Sequence, residues 1–235
     1  GRRAVLSPHI GEMHTARSLA VLEQTVADLQ RLYKVEAEQL VCDAHPGYTT
    51  SRWAAQQGLP VHRVYHHHAH AAAACYDAGV CDRGEPMLVF TWDGVGYGAD
   101  GTLWGGEAFL GRPGSWQRFA SLRPFRLPGG DKAGREPWRS AAALHWECGT
   151  HWNATPDPDG LARAAWRQHV NCPSTSAPGR LFDAAAAIIC DMPTASFEAQ
   201  GPMVLEAMFP DPDHLKPVLV NARYDRIYMA SERLV

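Results

Sequence analysis

Four imidazoles fall within five positions, at His66, His67, His68 and His70, immediately before the alanine run Ala71 to Ala74. If this run is helical, His66 and His70 stand one turn apart on one face. Two imidazoles in that relation can grip a single metal ion, whereas His67 and His68 point elsewhere. Further on, the apolar run Pro86 to Trp92 ends at Asp93 and breaks into Gly94-Val95-Gly96-Tyr97-Gly98. Asp93 there offers a hard oxygen ligand beside a loop that lets a phosphate approach the backbone. His66, His70 and Asp93 are therefore a candidate two-histidine, one-carboxylate metal site, suited to zinc or ferrous iron rather than magnesium. The alternative is that these imidazoles cap their helix and bond to nearby carbonyls.

A second cluster lies at Gly129-Gly130-Asp131-Lys132-Ala133-Gly134-Arg135, continuing to Arg139. Glycine-exposed N–H groups and three cations at a helix start suit an anion, but on these residues alone a solvated, charged first turn is the favoured reading. Gly105-Gly106-Glu107 reads as a bulge in a strand. Ser174-Thr175-Ser176 ahead of Gly179-Arg180 either receives a phosphate or caps a helix. No Ser-His-Asp or Cys-His arrangement follows from residue order alone.

The elements that must position these groups alternate in type. Ala4-Val5-Leu6 reads as a short strand, and Thr15 to Tyr33 as an amphipathic helix with Leu19, Leu22, Val26, Leu29 and Leu32 on one stripe. Gln39 to Asp43 reads as a buried strand, followed by a helix to Gln57 capped by the Thr49-Thr50-Ser51 run. The strand Val61 to Tyr65 leads into the histidine helix. Pro86 to Trp92 and Thr102 to Leu110 form a hairpin with a glycine-rich tip at Gly94 to Gly101, and Trp116 to Phe125 is a third antiparallel strand. Asp131 caps a helix reaching Cys148; further helices cover Asp157 to His169, Arg180 to Cys190 and Ser196 to Met208. The tail from Val218 alternates as a strand would. This mixture implies an α/β fold with a boundary near Arg112-Pro113-Gly114, dividing a first lobe (1–112) that holds the histidines from a mostly helical second lobe (113–235).

At 235 residues the chain can bury a substantial core, and its net charge of -3 gives no electrostatic case for nucleic acid. No stretch reaches the length of a membrane span. The six cysteines form no CxxC pair, which suits free thiols in a reducing cytoplasm.

Seven motifs occur in one order and spacing: Ser7-Pro8-His9-Ile10-Gly11, Cys42-Asp43-Ala44-His45-Pro46, Tyr65 to His70, Asp93 to Gly98, Leu103 to Glu107, Leu127 to Ala133, and Gly179-Arg180-Leu181-Phe182-Asp183. Together they resemble the C-terminal domain of the HypF carbamoyltransferases of nickel–iron hydrogenase maturation, itself similar to the tRNA threonylcarbamoyl-adenosine transferases. The resemblance covers residues 4 to about 208, and the tail from Phe209 resembles nothing identifiable. It implies a two-lobed actin, sugar-kinase and heat-shock-chaperone type ATPase fold, incomplete here at both ends, because a glycine-rich first strand and a late Asp ligand of the family are missing. It implies that carbamoyl phosphate and ATP yield carbamoyl adenylate, whose carbamoyl group passes to the C-terminal cysteine thiol of a HypE-type protein. Carried over by motif, His66, His70 and Asp93 are the metal ligands. Gly94, Gly96, Tyr97, Gly98, Gly129, Gly130, Asp131, Lys132, Gly179, Arg180 and Asp183 border the nucleotide. Lys132 and Arg135 stabilise developing charge. Two rivals share these residues: an O-carbamoyltransferase acting on a small-molecule hydroxyl, and a non-catalytic fragment that docks HypE.

Overall fold

The computed structural model describes residues 4–11, 13, 15–81, 84–208 and 228–229. It divides into two compact units, residues 1–66 and 67–235.

In the first unit, helix α1 (Ala16–Tyr33) starts where the Thr15 hydroxyl accepts the Ser18 N–H at 3.0 Å and stops at Lys34, which turns left-handed at φ 53°. Leu19, Leu22, Val26 and Leu29 of its apolar stripe are half-buried, whereas Leu32 is exposed. Strand β1 (Leu40–Asp43), helix α2 (Thr49–Gln56) and strand β2 (Val61–Val64) form a βαβ unit, with the strands parallel from Leu40 opposite Val61 to Asp43 opposite Val64. Three expectations change here. Residues 4–8 are irregular rather than a strand, with Leu6 exposed and Pro8 lacking a ladder donor. β1 is not fully buried: a two-stranded sheet leaves Val41 facing outward. Tyr48 holds the N-cap of α2 in place of the Thr49-Thr50-Ser51 run, and the Ser51 hydroxyl instead donates to the Asp43 carbonyl at 2.9 Å.

The second unit is built on a six-stranded sheet. Strands β3 (Met87–Tyr97) and β4 (Leu103–Gly111) pair antiparallel, and β5 (Gln117–Ser121) lies antiparallel along β4. The short strands β6 (Phe125–Arg126) and β7 (Ser174–Thr175) continue the sheet, β7 pairing parallel to the start of β4. Helix α3 (His66–Asp77) buries His67, Ala71 and Cys75, four residues apart on one stripe. Ala71 and Cys75 pack with Trp104, Phe109, Trp116, Met87 and Val89. Phe109 is fully buried, so truncating it to alanine costs about 3–5 kcal/mol.

Helices α4 (Trp138–Glu147), α5 (Leu161–Arg167), α6 (Pro178–Ile189) and α7 (Gln200–Ala207) complete the unit. α4 and α6 meet through Ala141, Ala184 and Ala187, small side chains that let the helix axes come close. The helix expected from Asp131 to Cys148 is two elements, a 3-10 helix over Gly130–Gly134 and then α4 after Pro137. Asp131 caps neither, because left-handed Gly129 precedes the first and Pro137 opens the second. Arg112-Pro113-Gly114 is the turn between the paired strands β4 and β5, closed by the Ser115 N–H on the Arg112 carbonyl at 2.8 Å. The expected tail strand lies outside the described residues except Tyr228–Met229 (β8), which pairs antiparallel with Ser121 and Ala120. Among the described residues no helix is long and apolar enough to cross a membrane.

Candidate functional site

Asp93 owes its position to a break in the sheet. Trp92 pairs with Gly106, but the next pair is Gly96 with Trp104, so β3 carries two extra residues opposite β4. The bulge at 93–95 turns the strand within its ladder and re-aims the carboxylate. Gly94 and Gly96 therefore belong to the strand rather than to the hairpin tip, which is confined to residues 98–102 and closed by the Gly98 N–H on the Thr102 carbonyl at 2.9 Å. Asp93 Oδ1 accepts the Gly94 N–H, and Oδ2 lies 3.5 Å from His70 Nε2 and 3.7 Å from His67 Nε2.

These separations fit a metal. Ligand atoms held about 2.0–2.1 Å from a tetrahedral zinc ion stand roughly 3.3 Å from one another. The donor chemistry, two imidazole nitrogens and one carboxylate oxygen, suits zinc or ferrous iron. His70 and Asp93 are thus brought together as expected, and the structure adds His67, which the i, i+4 argument had turned away. His67 is fully buried because it heads the stripe that Ala71 and Cys75 continue. His68 packs edge-on against the Phe109 ring at 5.0 Å, and burial holds its imidazole below the ordinary range. In the first unit, His66 has Nδ1 3.5 Å from Asp43 Oδ2.

The glycine motifs converge on Arg180. A methyl on Gly134 would meet Arg180 Nη1 at 3.4 Å, and one on Gly94 would stand 4.0 Å from Nη2 and 3.6 Å from Glu198 Oε1. Arg180 is buried on the first turn of α6, paired with Asp183 at 3.0 Å. Burial pushes the Asp183 carboxyl up, the Arg180 guanidinium pulls it back down, and Glu198 raises it again; the net shift is upward. The turn at Gly129 and Gly130 is left-handed at both residues, φ 99° and 55°, which glycine adopts without strain. The Asn171 carbonyl accepts the Gly129 N–H at 3.0 Å, and a methyl on Gly130 would strike the Asn171 side chain. This turn leads into the 3-10 helix that carries Asp131, Lys132 and, at its end, Arg135. Asp131, Lys132 and Arg135 are exposed.

Gly105-Gly106-Glu107 is more than a bulge. A methyl on Gly105 would lie 2.5 Å from the Ala177 Cα, and one on Gly106 would lie 2.6 Å from the Ser176 carbonyl oxygen. The two glycines let β4 dock flush against the segment that opens α6. Glu107, buried beneath them, hydrogen-bonds the Ser176 hydroxyl and pairs with Arg118 Nε at 2.6 Å. Arg118 also reaches Asp100 at 2.8 Å and lies over the Trp104 ring. Tyr97 and Gly98 close β3: Tyr97 pairs with Leu103, and the Trp104 indole covers the space where a Gly98 side chain would stand. Sequence reasoning named Glu107 only within a bulge and left Asn171 without a role, because their partners Ser176 and Gly129 lie far along the chain.

Comparison with known proteins bears on the family and the fold. Residues 1–77 match a family model described as the HypF Kae1-like domain, and residues 89–233 match one described as the carbamoyltransferase, Kae1-like domain, second subdomain. The second match runs beyond Phe209, where the motif resemblance ends. The chain is 38% identical over 218 residues to carbamoyltransferase HypF2 of Cupriavidus necator, covering 88% of this chain and 26% of that protein. It is 36% identical over 228 residues to carbamoyltransferase HypF of Synechocystis, covering 87% and 29%. A crystal structure of full-length HypF in the phosphate- and nucleotide-bound form superposes with a TM-score of 0.77 at 27% identity, covering 86% of this chain and 27% of that one. The fold is therefore that of the Kae1-like domains. The chain spans between a quarter and a third of the length of these curated relatives.

Proposed function

Because the chain belongs to the HypF carbamoyltransferase family, matching its Kae1-like domain, we propose that it is the carbamoyl-transfer domain of an ATP- and carbamoyl-phosphate-dependent enzyme of nickel–iron hydrogenase maturation. One observation carries the reading: Asp93, which faces two imidazoles, adjoins Gly94, where the glycine motifs and Arg180 converge. A donor set for a metal and the glycines around Arg180 are thus neighbours within one unit.

On this reading the substrate is carbamoyl adenylate, formed from carbamoyl phosphate and ATP in a neighbouring domain. Its nucleotide is bordered by Gly94, Gly96, Tyr97, Gly98, Gly129, Gly130 and Gly179, as the family resemblance implies. Arg180, Asp183 and Asp131 border it on the same grounds. The acceptor is the C-terminal cysteine thiol of a HypE-type protein. Its sulfur forms the C–S bond at the carbamoyl carbon, the C–O bond to the adenylate phosphate breaks, AMP leaves and the thiol proton passes to solvent. Lys132 and Arg135, the exposed cations at the 129–135 turn, stabilise the charge growing on the phosphate and at the carbamoyl carbon. A zinc or ferrous ion held by His67, His70 and Asp93 would supply Lewis-acid polarisation of the carbamoyl carbonyl. The free cysteines Cys42, Cys75, Cys81, Cys148, Cys172 and Cys190 accord with a reducing cytoplasm. The net charge of -3 accords with a protein and nucleotide clientele rather than nucleic acid.

Elemental analysis coupled to calorimetry with a non-hydrolysable ATP analogue tests the reading on wild type, His70→Ala and Asp93→Ala. Roughly one metal ion per chain is expected in wild type, lost in both variants with the far-UV spectrum unchanged. Wild-type protein that takes up neither metal nor nucleotide overturns it.

A further inference from the structure

The segment joining α6 to α7 is tied to the neighbourhood of the candidate site. The Ala195 N–H donates to the Arg135 carbonyl at 2.9 Å, and the Trp138 N–H to the Pro193 carbonyl at 3.2 Å. The segment is thereby fixed to the turn that carries Lys132 and to the start of α4. The Ser196 N–H donates to Gln200 Oε1 at 2.7 Å. Ala199, the N-cap of α7, is left-handed at φ 62°, a conformation disfavoured for a residue with a Cβ. Gly201 lets α7 close on α6, since a methyl there would lie 2.8 Å from the Ala186 Cβ. Between these ties stands Glu198, delivered to the bulge of β3.

The place that a side chain on Gly94 would fill is flanked by an acceptor and a donor. A methyl there would stand 3.6 Å from Glu198 Oε1 and 4.0 Å from Arg180 Nη2. Asp93, whose Oδ1 accepts the Gly94 N–H at 2.6 Å, adjoins the same place. Arg180 is only 6% exposed, and its Nε makes no hydrogen bond among the described residues. An ionised carboxylate accepts hydrogen bonds only, and it repels a phosphate. Beside a bound nucleotide, the use of Glu198 is therefore with an N–H or O–H group of the ligand.

We infer that Glu198 is a specificity-determining residue that accepts a hydrogen bond from the amine of the carbamoyl group. A carbamoyl group presents one carbonyl and one amine side by side, and it differs from an acetyl group of the same shape only in that amine. The two groups flanking Gly94 match it, the Arg180 guanidinium on the carbonyl side and the Glu198 carboxylate on the amine side. An acetyl group would set a methyl against the carboxylate and leave that charge without a donor. The inference rests on the proposed carbamoyl-transfer reading and goes beyond it, by naming the group that tells carbamoyl from its isosteres.

The test is calorimetry on zinc-loaded protein with two stable adenylate mimics, carbamoylsulfamoyl-adenosine and acetylsulfamoyl-adenosine. The proteins are wild type, Glu198→Ala, Glu198→Gln and Glu198→Met, each checked for folding by circular dichroism. Wild type is expected to bind the carbamoyl mimic about tenfold more tightly than the acetyl mimic, the worth of one charge-assisted hydrogen bond. Glu198→Ala is expected to bind the two alike, with its affinity for the acetyl mimic no lower than that of wild type. Glu198→Gln, whose amide oxygen still accepts, is expected to keep part of the preference. Wild type that binds both mimics equally overturns the inference, as does Glu198→Ala that retains the preference. Equal loss of both mimics in Glu198→Ala overturns it too, assigning the carboxylate to the ribose hydroxyls that the mimics share. Wild type that binds neither mimic overturns the carbamoyl-transfer reading and the inference with it. Where Glu198→Ala fails to fold, Glu198→Met, which keeps the side-chain length without an oxygen acceptor, decides by the same comparison.

Discussion

Gly179 of α6 and Gly94 of β3 touch backbone to backbone: a methyl on Gly179 would lie 2.8 Å from the Gly94 Cα and 3.2 Å from the Asp93 carbonyl oxygen. The start of α6, with Arg180, is thereby pressed against the bulge that presents Asp93. The glycines serve contact as much as flexibility, since an added Cβ at Gly179 has only backbone to displace.

Gly179→Ala should therefore pull α6 off the bulge. Overpacking of this kind costs about 1–3 kcal/mol, and affinity for an ATP analogue should fall about tenfold, read by calorimetry. Gly134→Ala is the matched comparison. Its new methyl meets only the flexible end of Arg180, at 3.4 Å, so its thermal midpoint should stay close to wild type.

Glu107 carries a buried charge satisfied by Arg118, Ser176 and the Gly105 N–H. Glu107→Ala leaves the Arg118 guanidinium, four-fifths buried, with Asp100 as its remaining carboxylate, and losing the charge-assisted bond costs about 1.5–3 kcal/mol. Urea denaturation should show the midpoint falling steeply. Ser176→Ala, which removes one neutral partner of the same carboxylate, should lower it by only about 1–2 kcal/mol.

Asp100 gives a pH-dependent prediction. Burial alone would raise its carboxyl, but the Thr102 hydroxyl and N–H, Arg118 and the Trp104 indole outweigh burial and hold it below the usual carboxylate range. A depressed folded pKa means that the unfolded chain takes up the proton first as the pH drops. The stabilisation is thus complete above the ordinary pKa of about 3.9 and is lost as pH falls through the folded value. Asp100→Asn should destabilise the protein by about 1 kcal/mol at neutral pH, a figure kept small because the side chain is 43% exposed. The gap between variant and wild type should close below about pH 4. A gap that persists in acid would assign the effect to packing.

Lys132 is exposed at the 129–135 turn, so Lys132→Ala should leave the melting temperature unchanged. Loss of one charge-assisted phosphate contact should weaken ATP-analogue binding by about five- to tenfold. Unaltered affinity would return Lys132 to the solvated surface.

By itself the sequence determined the local chemistry. The i, i+4 spacing of His66 and His70, the carboxylate closing an apolar run and the glycine motifs are short-range patterns, found in the structure on a helix, in a bulge within a strand and at a turn. The alternation of strands and helices was legible for the same reason, because periodicity records which face of one element is buried. What the sequence could not carry is register. Two extra residues between the pairs Trp92–Gly106 and Gly96–Trp104 moved Gly94 from a hairpin tip into a bulge and Gly96 into the ladder, and nothing in residues 87–97 alone specifies that slip. His67 sits by Asp93 because Ala71 and Cys75 anchor its stripe of α3 against the sheet, a packing choice rather than a spacing. Glu107 with Ser176, Gly129 with Asn171 and Asp43 with His66 join positions from 23 to 69 residues apart. Tertiary structure alone decided these pairings, because hydrogen bonds and steric contacts act between atoms in space, whereas sequence pattern reports only on neighbours along the chain.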